Sequence, residues 1–296
     1  MPKVKKSMDG SAQHLKASDF DDITKEILTT AITIFRCLVV TRAPFPDSIL
    51  IETKLAKEAW CEACSAKGIN VRLTPGLMKM ILKRTSHVRG ELKTKMRSLT
   101  GSFFGFRANN SREVIRCNRD CAESLKEGSL FAYKDWELKQ GIYKTDLLQM
   151  GVNHMWFANR NDKGIIYHQY FNPFPVKTMA LLLASIECCI DEWGTGIKED
   201  VKFSAANYAS VYNTHLDSLQ RFEEHTAPYK LLEKIRVNLH DAARFHAGVD
   251  FLLTSSTGSR VTEEAFDDAL LEYEQELQDK EEEERDERDG TEAQGE

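Results

Sequence analysis

The chain has 296 residues, 42% hydrophobic and 29% charged, with 7 Cys, 16 Gly and 7 Pro. That is ordinary composition for a globular protein large enough to bury a core without disulfides, and it excludes collagen-like, low-complexity and disulfide-scaffold classes. The formal net charge of −6 hides an asymmetry, because residues 263–296 hold 17 Asp and Glu against 3 Lys and Arg, which leaves the rest of the chain basic.

No apolar run approaches the roughly 20 residues that span a bilayer. The N-terminal stretch MPKVKKSMDGSAQHLK lacks the apolar segment of a secretory signal. An odd number of cysteines, with Cys188 and Cys189 adjacent, predicts thiols in a reducing compartment. The expectation is an intracellular protein, nuclear or cytoplasmic, neither secreted nor membrane-bound.

In chain order, residues 1–19 read as a disordered basic arm. Apolar residues every three or four positions predict a first helix from Asp19 to Val40 and, after the break RAPFPDS, a second from Ser48 to Ala66. Thr74-Pro75-Gly76 is a helix start, with Thr as N-cap and Pro in the first turn. That third helix is predicted to run to Phe104 with a kink at Gly90, its apolar stripe opposed by Lys79, Lys83, Lys93 and Arg97. Asn110 or Ser111 caps a fourth helix ending near Lys126. Residues 128–144 read as irregular or as a small hairpin, and a short helix follows from Thr145 to Phe157.

Phe171 to Gly194 organises the rest. Pro173 and Pro175 stop what precedes, and Met179 to Ile190 is apolar around almost the whole circumference. Such a helix must be wrapped by others. Two amphipathic helices, Ala205 to Glu224 and Tyr229 to His246, supply part of the wrapping. The predicted fold is mainly α: one multi-helix domain over 20–248 around a buried central helix, a linker over 249–262, and an acidic helical or disordered tail over 263–296. In that tail Phe266, Leu270, Tyr273 and Leu277 mark one helix face and suit protein partners.

Three constellations carry candidate chemistry. From Lys79 to Arg119 there are 11 Lys and Arg against only Glu91 and Glu113. Solvated helix faces normally mix the two signs, so this excess predicts either a nucleic-acid or other polyanion surface built on Lys79, Lys83, Arg89, Lys93 and Arg97, or balance by acids elsewhere in the fold. Glu187 and Asp191, four apart on the central helix, are candidate acid, base or cation ligands with His154 and His168 as conceivable neighbours. Cys61 and Cys64 have the spacing of half a zinc site, to which Cys117 and Cys121 could add, but their apolar helical setting favours plain core packing. No phosphate loop, dinucleotide fingerprint, zinc-protease, hydrolase or EF-hand motif is present. No cofactor is implied.

Several strings resemble a known domain: Ala43-Pro44-Phe45-Pro46-Asp47, Arg89-Gly90-Glu91-Leu92-Lys93, Phe104-Gly105-Phe106, Met155-Trp156-Phe157, Tyr170-Phe171-Asn172-Pro173 and, most distinctively, Ile186 to Trp193. Together they resemble the domain of unknown function 6532, a family found in mushroom-forming fungi. The resemblance implies a domain from about Phe20 to Gly248 and a fungal source, and it carries no reaction and no catalytic residues. The expected function is a non-enzymatic polyanion-binding module with an acidic regulatory tail. The alternatives are an enzyme using the Glu187 and Asp191 pair, or an interaction scaffold acting through the tail.

Overall fold

The computed structural model describes residue 16 and residues 19–109 and 111–250. Most of the arm, most of the linker and all of the acidic tail expected from the sequence lie outside the described residues. Ten helices occur among those residues: α1 (Asp22–Arg42), α2 (Ile49–Lys67), α3 (Pro75–Leu82), α4 (Arg84–Phe103), α5 (Arg112–Lys126), α6 (Asp146–Trp156), the short α7 (Lys163–Ile166), α8 (Val176–Asp191), α9 (Ala205–His225) and α10 (Leu231–His246). A two-stranded antiparallel hairpin, β1 (Tyr133–Asp135) and β2 (Gln140–Ile142), pairs Tyr133 with Ile142. The fold is mainly α.

Local chemistry sets the boundaries. The side chains of Asp21, Thr74, Ser111 and Thr145 each accept a hydrogen bond from a backbone N–H of the first turn they cap. Gly68 closes α2 with a φ of 65°, a left-handed conformation that costs glycine little. The stretch expected as one helix kinked at Gly90 divides instead at Lys83. There the Thr85 hydroxyl donates to the Leu82 carbonyl at 3.2 Å, offering that carbonyl a partner outside the helical ladder. Gly90 sits inside α4 without interrupting it.

The central position of α8 follows from its sequence. From Thr178 to Ser185 every residue is buried, and the helix packs against α1, α4, α5, α6 and α9. Its two buried hydroxyls are satisfied by carbonyls, Thr178 on Val40 at 3.0 Å and Ser185 on Leu182 at 2.8 Å. A second apolar cluster lies beside this core, made by Ile27, Phe35 and Leu38 of α1, Leu55 and Trp60 of α2, and Leu77 and Ile81 of α3. Helix α1 joins the two, since its Cys37 and Val40 belong to the main core.

Candidate functional site

The carboxylates at the end of α8 meet basic groups from three other helices. Glu187 lies 2.8 Å from His215 Nε2 and 3.7 Å from Lys126 Nζ. Asp191 accepts from Lys126 at 2.5 Å and from the Tyr208 hydroxyl at 2.6 Å. The buried Glu192 binds Lys93 at 2.8 Å and takes the Arg97 guanidinium in bidentate form, with contacts of 2.7 and 2.9 Å. Asp200 completes the network by accepting from both Lys93 and Arg97.

Electrostatics follow from this pairing. Burial opposes ionisation of Glu187, but His215 and Lys126 outweigh it and hold the carboxyl below its ordinary value. Burial likewise opposes the charge on Lys93 and Lys126, and their acid partners overcome it, so both ammonium groups stay charged to higher pH than usual. Burial, then the hydrogen bond to Asp191, pushes the Tyr208 hydroxyl far up. Burial pushes the Cys188 thiol up to about 11, the opposite of an activated nucleophile. The acids and bases of this cluster are spent on one another and tie α4, α5 and α9 to α8.

His154 and His168 are exposed and contact neither carboxylate. The backbone carbonyl of His154 accepts from Lys95, and its ring faces His246 at 6.4 Å. Sequence reasoning missed His215, the imidazole that does reach Glu187, because its closeness depends on how α9 crosses α8. Cys61 is exposed and Cys64 buried, while Cys117 and Cys121 sit on α5. Among the described residues no group of three or more His, Cys, Asp or Glu could hold a metal ion.

The five expected polyanion contacts do not form one surface. Lys79 and Lys83 are exposed on α3 and just after it. Arg89 is buried, donates to the Pro44 carbonyl at 2.9 Å and lies over the Phe45 ring at 5.0 Å. Lys93 is buried on Glu192 and Arg97 is clamped by Glu192, so neither reaches solvent with a free charge. The reason is position: Arg89 and Lys93 lie on the side of α4 that packs against α1, α6 and α8, while the solvent-facing stripe of the helix is Gly90, Thr94, Ser98 and Ser102.

A different set of cations remains at the surface. Residues 63–90 contain six Lys and Arg and no Asp or Glu, a shorter and sharper signal than the Lys79 to Arg119 excess. Of these, Arg72, Lys79 and Lys83 are exposed, as is Lys57 on the neighbouring α2, and none has a carboxylate within 4 Å among the described residues. The nearby acids of α2 are committed elsewhere, Glu58 to Arg42 at 2.7 Å and Glu62 to the Tyr170 hydroxyl.

Two of these cations, Lys57 and Arg72, line a trough between α2 and α3. One cavity of about 590 Å³ is lined by Lys57, Trp60, Arg72, Leu73 and Met78, among others. A second of about 360 Å³ is lined by Cys64, Gly68 and Ile69, and the two share Trp60, Cys61 and Asn70. The buried Trp60 is held by its indole N–H, which donates to the Val71 carbonyl at 2.8 Å, and the larger cavity is mainly apolar.

The family described as Domain of unknown function (DUF6532) matches residues 30–222. The chain belongs to this family. The DUF6532 region begins inside α1 and ends inside α9, so it contains the carboxylate network, the exposed cations and the trough, while α10 lies beyond it. No curated protein and no solved structure matches the chain. No helix among the described residues is long and apolar enough to cross a membrane.

Proposed function

We propose that this domain is a non-enzymatic module that binds polyanions, nucleic acid first, through Lys57, Arg72, Lys79 and Lys83. The supporting observation is the exposure of these four cations beside a stretch of 28 residues, 63–90, that has no acid to balance them. Exposed unpaired cations neutralise phosphates and release counterions, which gives salt-sensitive affinity with little sequence preference. Residues 263–296, with their 17 acids, oppose the approach of any polyanion through their field and thereby tune affinity.

The test is charge reversal. Converting Lys57, Arg72, Lys79 and Lys83 to Glu should abolish retention on immobilised heparin and on DNA at moderate salt. A control chain with Arg112, Arg116, Lys134 and Lys144 converted to Glu undergoes the same change of net charge on exposed positions elsewhere. Equal losses in the two variants would reduce the effect to overall charge and defeat the assignment.

A further inference from the structure

We infer that the trough between α2 and α3 accepts unpaired nucleobases, so that the polyanion recognised here is a single-stranded nucleic acid. This rests on the polyanion reading above and narrows it. Three features carry it.

The first is size and shape. The two adjoining cavities, about 590 and 360 Å³, each fall in the range of roughly 300–1,000 Å³ typical of small-ligand sites. They meet at Trp60, Cys61 and Asn70, so a continuous strand could seat successive bases on either side of that junction. The second is chemistry. A base has two apolar faces and a polar edge. Trp60, Leu73 and Met78 offer apolar and polarisable walls, and Met sulfur packs favourably against aromatic rings. The exposed Asn70 amide makes no hydrogen bond among the described residues, which leaves both a donor and an acceptor for a base edge. The third is placement of charge. Lys57 and Arg72 line the larger cavity from α2 and from the loop before α3, so cations stand where a backbone would run if its bases turned inward. That combination of a cationic track with an apolar seat for bases is the physical basis of single-strand binding, and a duplex, whose bases are stacked within, can use only the track.

Cys61 supplies the readout, because its thiol is exposed and lines both cavities, while the exposed thiol of Cys117 on α5 is an internal control. The full chain is alkylated with N-ethylmaleimide, and each cysteine is followed by mass spectrometry. Saturating oligothymidylate of about 15 nucleotides should slow Cys61 alkylation about tenfold or more and leave Cys117 unchanged, whereas duplex DNA or heparin at equal occupancy should have little effect. Asn70→Ala should weaken oligothymidylate binding while leaving heparin retention intact. Protection of Cys61 by heparin as strong as by oligothymidylate would overturn the inference, as would equal protection by decanoate, which would make the trough a seat for amphipathic acids. Salt-sensitive binding of all three polyanions with no protection of Cys61 would overturn the trough but leave the cationic surface standing. No binding of any polyanion would remove both.

Discussion

Lys93 of α4 places its ammonium 2.8 Å from the carboxylate of Glu192 at the end of α8, and both groups are buried. The same carboxylate takes Arg97 from the next turn of α4 in bidentate form. Two cations that read as one side of a basic helix therefore act as a clamp that holds α4 on the central helix.

Removing part of the clamp should cost stability rather than binding. Breaking a buried ion pair by deleting one partner costs about 3–5 kcal/mol, but Arg97 is a third exposed and Lys93 still serves Glu192, so Arg97→Ala should cost about 1–3 kcal/mol. Denaturant unfolding measures this. Heparin retention of the folded variant should match that of the parent chain, and a selective loss of retention would return Arg97 to the binding surface.

Gly151 stands where α6 packs tightly on side chains of α4 and α8. A Cβ there would meet Met96 Sδ at 2.9 Å and Leu182 Cδ2 at 3.0 Å, inside the main core. Both contacts are the ends of flexible side chains, but Met96 and Leu182 are fully buried, so an overpacking cost of about 1–3 kcal/mol exceeds the gain of about 1 kcal/mol in helix propensity and Gly151→Ala should destabilise by about 1 kcal/mol net. A thermal melt showing a gain in stability would mean that the contact relaxes freely.

The sequence made α8 legible because nearly its whole circumference is apolar, and it made the Thr74 cap legible because Thr stands before Pro and an apolar period, whereas it left Asn110 and Ser111 as alternatives for the cap of α5, which is Ser111. The carboxylate network was not legible. Arg97 and Glu192 are 95 residues apart, and Lys93 and Asp200 are 107 apart, so only the packing of α4 across α8 brings them together. The same ignorance made Arg89, Lys93 and Arg97 look available. The acid-free stretch 63–90, by contrast, was present in the sequence but diluted by counting as far as Arg119.

His240 gives the fold a dependence on pH. Desolvation, the main cause, outweighs the nearby Asp241 and lowers its pKa below 6.5, aided by Arg244 and His168, and its Nε2 has no hydrogen-bond partner. A depressed histidine pKa favours the neutral folded form. Its contribution is thus fully present above about pH 6.5 and is lost as pH falls toward the lower folded value, because the unfolded chain takes up the proton first. Melting temperature should fall between pH 7.5 and 5.5, and His240→Gln should fall less over the same interval. Parallel declines in the two proteins would assign the effect to other groups.

The most direct test of the central claim is the salt dependence of single-stranded DNA binding by the full chain. If Lys57, Arg72, Lys79 and Lys83 each neutralise one phosphate, log Kd against log salt concentration should have a slope of magnitude about 3, at roughly 0.7 per contact. Reversal of the four charges should remove most of that slope. A slope near zero in the parent chain, or one that the reversal leaves unchanged, would contradict the account.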